Sequence, residues 1–451
     1  MRITKGNIIW WFVALLFVAT HTSCVFDKYD NEQTLPGVPG DEDYLMIIRI
    51  NALDATGSTL NLGDVFEMVR SLRIVMLNDG AIEVNRYVVP GDGTAAINMS
   101  DLKYVFTQRT APGSKKFYLF ANEESVGDLE FQSGETLPAD LPTNLHTYLE
   151  SVVPNIDDAQ AGQDFENIVN AICFKPDYTP DEAGNIYIPY TSYYDGYEVS
   201  DNSPSNATSP IQMYLVPVAT KFIFRFVNYR PNEVEINNIT ISKKDTDNFL
   251  FARVDEPDYT KSFEGVDYYW VNWLAKVSEA SHNNADFYDN VNFNEKYGWI
   301  SNYEIPEISA PVDAQFISTA NVRTVPAGEP IPDSEEMNPS TLTVGPFYVP
   351  ESFNRFITDT GEGNEEDAIQ QRYYLTLGIH DVTSLAGRDP VFENVTIDNL
   401  HALFRNTCVV IKINMSAGDV EVYAEINPWN VKTANGWLVE GNAPSNNPFA
   451  N

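Results

Sequence analysis

The sequence predicts an all-β fold of two β-sandwich domains in tandem, with a few short helices and long insertions in the second domain. Many short segments alternate apolar and polar residues with a period of two, and clusters of turn residues separate these segments. Hydrophobic residues make up 43% of the chain and aromatic residues 12%, which is enough to fill a substantial core. A polar stretch near the middle divides the strand-rich parts of the chain.

Alternation predicts the strands of the N-terminal half at residues 44–51, 71–77, 82–88, 116–121 and 186–190. The first strand places four residues on one face: Tyr44, Met46, Ile48 and Ile50. The second and third strands should form a hairpin, because Asn78-Asp79-Gly80 lies between them and is a strong turn signal. Residues 139–172 interrupt the alternation, and Asp164 is the predicted cap of a short helix there.

The polar stretch at residues 198–210 sets the predicted domain boundary. The N-terminal sandwich then spans residues 43–210 and the C-terminal sandwich spans residues 211–441. Residues 254–340 are acidic and aromatic without a sustained period, so they are predicted to be insertions. Residues 442–451 contain two prolines and are expected to form a loose tail.

The N-terminal residues have the pattern of an export signal that ends at a cysteine. Two basic residues precede an apolar run that is shorter than the roughly 20 residues of a membrane-spanning helix, and small residues follow it. His21-Thr22-Ser23-Cys24 is similar to a lipoprotein signal, so residues 1–23 should be removed, and lipid on Cys24 should anchor the exported chain in the outer membrane at the cell surface. An ordinary signal peptide with an incidental cysteine is the alternative. Residues 24–42 have no strand pattern and are predicted to be a flexible tether.

Charge and cysteine content limit the partners of the exported chain. The whole sequence has a formal net charge of −36, and removal of residues 1–23, which contain two basic and no acidic residues, would make it −38. Such a charge argues against nucleic acid and anionic membrane surfaces, because both would repel the protein. Cys173 and Cys408 are the other two cysteines. They are expected to be buried thiols, although the exported compartment would also permit a disulfide between them.

Catalytic and metal-binding motifs are absent from the sequence. The chain contains no GxxxxGK[ST], GxSxG, HExxH or CxxC pattern, and the histidines after the signal have no metal-site spacing, so no enzyme activity, cofactor or metal is predicted. His146 is expected at a surface or packed position.

The aromatic group Tyr268-Tyr269-Trp270 with Trp273 could stack on sugars, which leaves a surface glycan-binding lipoprotein as the alternative function. Acidic residues are also numerous enough to keep a hydrolase open as a third class.

Several segments together resemble the fimbrillin family of type V pili. The segments, spread over residues 44–432, are Ser71-Leu72-Arg73-Ile74 with its turn, Lys116–Asn122, Val218–Phe222, Phe347–Glu351, Arg405-Asn406-Thr407 and Asn427-Pro428-Trp429. The resemblance implies two transthyretin-like β-sandwiches and export as a lipoprotein. It also implies a structural, adhesive role in a surface fimbria whose other subunits are the partners, and leaves a glycan or host ligand unidentified.

The same resemblance implies assembly by strand donation, in which an N-terminal strand leaves its sandwich and a C-terminal strand of another subunit fills the groove. The strand with Tyr44, Met46, Ile48 and Ile50 is the candidate to leave. The candidate to donate follows Asn427 and carries four apolar residues on one face: Trp429, Val431, Trp437 and Val439. This segment could instead be the last strand of its own domain.

The position of arginines bears on the role of the subunit. In the resembled family an arginine-specific protease frees the first strand of shaft subunits. Residues 51–69 contain no Lys or Arg, Arg49 lies within the predicted strand, and Arg70 lies at the start of the next, where access is expected to be poor. A chain that is not cut keeps its lipid and its own first strand, which favours a membrane anchor over a shaft or tip subunit.

Overall fold

The structure of this protein is a computed structural model. The structure describes residues 44–52, 68–89, 97–98, 103–131, 141–179, 181–182, 186–199, 211–244, 247–251, 253–254, 260–263, 266–269, 303–304, 312–332, 334, 336–352, 373–381, 391–397, 400, 403–416 and 419–428. Within them the chain is mostly strand, which confirms the all-β class predicted from the alternation. No helix in this part of the chain is long and apolar enough to span a membrane.

The strands before the midpoint of the chain are β1 (Tyr44–Ala52), β2 (Met68–Val69), β3 (Leu72–Asn78), β4 (Ala81–Val88), β5 (Ile97–Asn98), β6 (Lys103–Thr110), β7 (Gly113–Ala121), β8 (Leu129–Phe131), β9 (Ile172–Phe174), β10 (Tyr190–Val199), β11 (Ile211–Pro217) and β12 (Thr220–Asn228). Two helices lie between β8 and β9: α1 (Leu145–Ser151) and α2 (Ala159–Ala171). A 3₁₀ turn spans Glu123–Ser125.

The remaining strands are β13 (Val234–Lys244), β14 (Asn248–Phe249), β15 (Arg253–Val254), β16 (Thr260–Phe263), β17 (Val266–Tyr269), β18 (Tyr303–Glu304), β19 (Val312–Ile317), β20 (Arg323–Val325), β21 (Glu329–Pro330), β22 (Met337–Asn338), β23 (Ser340–Val349), β24 (Tyr374–Asp381), β25 (Val391–Thr396), β26 (Thr407–Ser416) and β27 (Asp419–Pro428).

Three large sheets organise these strands. The first has the order β4-β3-β7-β10-β11-β1-β6, and the second has the order β23-β12-β26-β27. The third has the order β19-β13-β24-β25, with β20 also paired to β13. Because β19 and β20 belong to this sheet, the prediction that residues 254–340 are insertions is wrong for that part of the segment. Its sparse apolar pattern reflects an edge position, where only one side chain in two is buried.

The hairpin of β3 and β4 forms as predicted. Asn78 pairs with Ala81, and the two residues between them have positive φ angles of 48° at Asp79 and 84° at Gly80. Such angles belong to a type I′ turn, whose twist matches that of the strands it joins. The Asn78-Asp79-Gly80 signal therefore acts through local backbone geometry, and it sets the register of the hairpin.

Helix α2 begins earlier than the sequence pattern indicated. Its cap is Asp158, whose Oδ1 accepts a hydrogen bond of 3.0 Å from the backbone N–H of Ala161. The predicted cap, Asp164, lies inside the helix, where its carboxylate accepts a hydrogen bond from Gln160 one turn earlier. The prediction that Asp164 is the cap was wrong. Both aspartates precede apolar residues, so the sequence pattern does not distinguish them. Only Asp158 has the non-helical backbone angles of a capping residue.

Three groups of buried side chains fill the space between the layers. The first core includes Met46, Ile48 and Ile50 of β1, Ile74 and Met76 of β3, Phe117 and Leu119 of β7, Met213 and Leu215 of β11, Ile223 of β12, and Cys408 and Val410 of β26. The second core lies between the second and third sheets and includes Phe222, Phe224, Phe226, Ile236, Ile239, Leu375, Leu377, Val409 and Ile411. The third core packs α1 and α2 on the first sheet through Val75, Leu77, Tyr118, Phe120, Leu145, Leu149, Phe165 and Val169.

Strand β11 is placed differently from the predicted boundary at residue 210. That boundary assigns Ile211–Pro217 to the C-terminal half, whereas the strand pairs with β1 and β10 in the first sheet. The polar stretch before it therefore connects two strands of one sheet. The division of the chain into two sandwiches stays a prediction, since residues 42–451 form one compact unit.

Candidate strand-exchange site

Strand β1 is an internal strand of the first sheet. It runs parallel to β11, with Ile48 opposite Ile211 and Ala52 opposite Leu215. On its other side it runs antiparallel to β6, with Met46 opposite Gln108. From Ile48 to Asn51 the backbone of β1 therefore has a neighbouring strand on both sides, whereas residues 44–47 pair with β6 alone among the described strands.

The apolar face of β1 is packed into the first core. Met46 is 3% exposed, and Ile48 and Ile50 are not exposed at all. These are three of the four residues expected on this face, and they alternate as the sequence pattern indicates. Tyr44 is the first residue of the strand and pairs with Thr110 of β6.

Among the described residues, the first five residues of β11 have their backbone pairing from β1. Residues Ile211–Leu215 pair with β1, whereas the pairing of β11 to β10 begins only at Val216 and Pro217. Without β1, the facing edges of β6 and β11 would both present unpaired N–H and C=O groups above a row of apolar pockets. That combination can receive an extended strand: the two edges supply hydrogen bonds and the pockets accept alternate side chains.

The two candidate cleavage positions lie in different environments. Arg49 is within β1, between Gln212 of β11 and Val105 of β6. Arg70 lies between β2 and β3 with an exposed side chain, so the expectation of poor access was wrong for the side chain. Its guanidinium stacks over the ring of Tyr187, 4.1 Å from the centroid, because Arg70 points outward while its neighbours Val69 and Ser71 are buried.

The backbone around Arg70 is nevertheless held on both sides. Its N–H donates a 2.7 Å hydrogen bond to Oδ1 of Asn122, and Nδ2 of Asn122 donates bonds of 2.8 Å to the carbonyls of Met68 and Ile188. The N–H of Met68 donates in turn to the carbonyl of Ile186 at 3.0 Å. A protease needs an extended, free backbone, so cutting at Arg70 requires local unfolding of this segment.

Asn122 is a site residue that sequence patterns alone would not assign. It is fully buried and has a positive φ of 55°, a conformation that asparagine adopts more readily than most residues. Its position directly after the buried strand β7, in a segment that carries the family resemblance, is the signal that could have identified it.

Two further predicted sites lie outside the described residues. These are Cys24, with the tether after it, and the candidate donor segment with Trp429, Val431, Trp437 and Val439. The last described strand, β27, ends at Pro428 on the edge of the second sheet, directly before that segment.

Several buried charged side chains form ion pairs with one another. Within the described part of the chain, three ion pairs have both side chains at most 3% exposed: Arg73–Glu123, Lys115–Glu83 and Arg405–Glu351. Burial lowers the pKa of Lys115, and the neighbouring Glu83 opposes that shift. Cys173 and Cys408 are both buried thiols not joined by a disulfide, as expected.

One group of side chains has the composition of a metal site. Ligand atoms of Glu123, Glu124 and His146 lie within 4.8 Å of one another. Both oxygens of Glu123 already accept hydrogen bonds from Arg73, and Oε1 also lies 2.6 Å from Nδ1 of His146. Glu124 accepts bonds from the hydroxyls of Ser71 and Tyr87. The lone pairs that a cation needs are thus in use, and the group is best described as an ion-pair network beside α1.

The aromatic residues of the alternative glycan site are only partly described. Tyr268 and Tyr269 belong to β17, which pairs with β16, and Trp270 and Trp273 lie outside the described residues.

No family model and no curated protein matches the chain. Solved structures do match it. The tip fimbrial protein Mfa3 from Porphyromonas gingivalis has 13% identity, over 86% of this chain and 100% of that one, at a TM-score of 0.42. A fimbrial assembly protein from Parabacteroides distasonis has 10% identity, over 86% and 98%, at 0.37. The fimbrilin FimA from Porphyromonas gingivalis has 11% identity, over 87% and 99%, at 0.35.

Proposed function

We propose that this protein is a structural subunit of a type V-like surface fimbria that supports cell adhesion, and that it is the lipid-held anchor of the fimbria. The observation that supports this proposal is the position of β1. It is the first described strand, yet it lies inside a sheet and its side chains belong to the first core. Among the described strands, it is also the one that pairs with residues 211–215 of β11.

No described strand precedes β1, so its exchange would not draw another described strand out of the sheet. Exchange would preserve the hydrogen bonds of β6 and β11 if the replacing strand ran in the direction of β1. The same strand kept in place closes the groove to other subunits. The role of the subunit therefore depends on whether β1 is released.

Retention of β1 favours the anchor role. Residues 51–69 offer no basic residue to an arginine-specific protease, Arg49 is inside the sheet, and the backbone at Arg70 is held by Asn122. The uncut chain would keep the lipid on Cys24 and its own β1. It would contribute to the fimbria by donating the segment after Pro428 to the open groove of the next subunit.

Two C-terminal truncations test donation. Removing residues 429–451 should abolish the attachment of fimbriae to cells, because the apolar residues Trp429, Val431, Trp437 and Val439 are lost. Removing only residues 442–451 is the matched control and should leave attachment intact. If cells that produce the protein without residues 429–451, in the same amount as the full-length protein, still hold their fimbriae normally, donation by this segment is refuted.

A disulfide between β1 and β6 separates an anchor from a shaft subunit. Met46 and Gln108 are directly opposite one another, and opposite residues have Cβ atoms about 4.5–5.5 Å apart, so a small shift would allow their cysteine replacements to bond. A locked β1 should not disturb an anchor, which keeps that strand. If oxidised M46C/Q108C blocks incorporation and reduction restores it, β1 is exchanged and the anchor role is wrong.

Lipid attachment is tested at Cys24. Cys24→Ala should move the protein from the detergent-soluble membrane fraction to the soluble exported fraction. N-terminal sequencing of the native protein from purified fimbriae provides the second readout. A blocked, lipidated Cys24 supports the anchor role, whereas a free N-terminus near Ile50 or Ser71 excludes it.

A further inference from the structure

The junction between the first and second sheets is short and buried. β11 ends at Pro217 and β12 begins at Thr220, so only Val218 and Ala219 separate them, and neither is exposed. The parallel neighbour of β1 is therefore the strand that continues directly into the second sheet, where β12 is paired on both sides.

Hydrogen bonds hold this junction in place. The N–H of Val218 donates to the carbonyl of Pro189 at 2.8 Å, and the carbonyl of Val218 accepts from the hydroxyl of Tyr178 at 2.8 Å and from Nδ2 of Asn248 at 3.0 Å. The carbonyl of Ala219 accepts from the N–H of Asn406 at 3.1 Å. These hydrogen bonds fix the backbone of Val218 and Ala219, so the two residues cannot act as a free hinge. A displacement of β11 would therefore displace β12 as well.

The first core also contains side chains from the second sheet. Ile223 of β12 and Val410 and Cys408 of β26 are at most 1% exposed and belong to the same continuous group as Ile48 and Ile50 of β1. Alternate residues of the same two strands point to the opposite face of the sheet and belong to the second core. These are Phe222 and Phe224 of β12, and Val409 and Ile411 of β26. The inner face of β12 and β26 is thus covered by the core that β1 completes.

We infer that β1 controls how tightly the second sheet packs on the first, so that loosening or releasing β1 exposes the β12–β26 face that contains Cys408. The coupling runs through two connected routes: the backbone of β11 into β12, and the shared first core. This inference goes beyond the proposed function, since it requires neither strand exchange nor assembly into a fimbria.

The two buried cysteines allow a direct test by thiol labelling. In the full chain with Cys24→Ser, Cys173→Ser leaves Cys408 as the reporter of the coupled face. Cys408→Ser leaves Cys173, in β9 between β8 and β14, as the reference. Ile48→Ala and Ile50→Ala together loosen β1, and Ile48→Val is the milder variant if that protein does not fold.

Labelling of Cys408 should accelerate at least tenfold in the β1 variant, with less than a twofold change at Cys173. The milder variant should shift the Cys408 rate in the same direction. Val169→Ala, which truncates a buried residue of the third core beside Ile172 and Phe174 of β9, is the reciprocal control and should accelerate labelling of Cys173 more than that of Cys408. An unchanged Cys408 rate in the β1 variants, or equal acceleration at both cysteines, would overturn the inference.

Discussion

Truncating Ile48 to alanine removes one of the side chains by which β1 fills the first core. The side chain is not exposed, and the neighbouring positions on the same face, Met46 and Ile50, are buried as well. Water therefore cannot replace the lost atoms, and the strand cannot relax easily because it is paired with β6 and β11. The change should lower the free energy of unfolding.

The expected magnitude has two parts. Three carbon atoms lose their burial, at about 0.8 kcal/mol for each CH₂ group, which gives roughly 2.4 kcal/mol. The cavity that remains adds to this loss, so the total should fall within the range of about 2–5 kcal/mol measured for buried isoleucine-to-alanine changes. Ile48→Asp should cost more, because it also places an unpaired charge in the core.

Equilibrium unfolding in urea measures the effect. Val153→Ala is the matched control, since Val153 is 72% exposed and should change stability by no more than about 0.5 kcal/mol. Hydrogen exchange adds a local readout: amides of β6 and β11 should lose protection before those of β13 and β24. If Ile48→Ala and Val153→Ala have the same urea midpoint, β1 is not an integral part of the folded core.

Three further predictions concern the buried polar groups. Glu351→Gln should lower the free energy of unfolding by about 3–5 kcal/mol, because it leaves Arg405 charged and buried, whereas Lys175→Gln in an exposed pair should cost less than about 1 kcal/mol in the same urea assay. Asn122→Ala should accelerate cutting by trypsin at Arg70, because the backbone of residues 68–70 loses two hydrogen bonds and the neighbouring carbonyl of Ile188 loses a third; mass spectrometry identifies the fragments, and Arg70→Ala should abolish them. Burial raises the pKa of several tyrosines, so the stability that they contribute is complete below pH of about 10, where unfolded tyrosine titrates, and is lost as the pH rises above it. These tyrosines are Tyr118, Tyr148 and Tyr193. Their absorbance change should coincide with alkaline unfolding seen by circular dichroism, and titration of these phenols in the folded protein would contradict the prediction.

Local patterns predicted much of the fold. Alternation located β1, and the turn signal located the β3–β4 hairpin. Both depend on interactions between residues that are close in sequence. The neighbours of β1 could not be predicted in this way, because alternation defines the buried face of a strand but not its partners. The pairing with β11 joins segments far apart in the chain, and this is why the boundary at residue 210 separated two strands of one sheet.

The candidate site was predictable to a similar degree. The face formed by Met46, Ile48 and Ile50 followed from the sequence, whereas the bonds that hold the backbone at Arg70 did not. An arginine before a strand predicts neither exposure nor protection of its backbone. The protection of the backbone depends on Asn122, which lies far along the chain and acts through a buried side chain. Such contacts have no periodicity that a sequence pattern could detect.

The segments that carry the family resemblance contain residues that tie strands together through buried polar side chains. Asn122 holds the chain around Arg70, and Arg405 donates hydrogen bonds to the carbonyls of Phe249 and Leu250 while it pairs with Glu351. An alternating apolar strand can be built from many sequences, so its residues can change while the fold persists. A buried amide or guanidinium with several partners cannot be replaced without leaving those partners unsatisfied. This difference is a physical reason why short segments can resemble a family although no family model matches the chain.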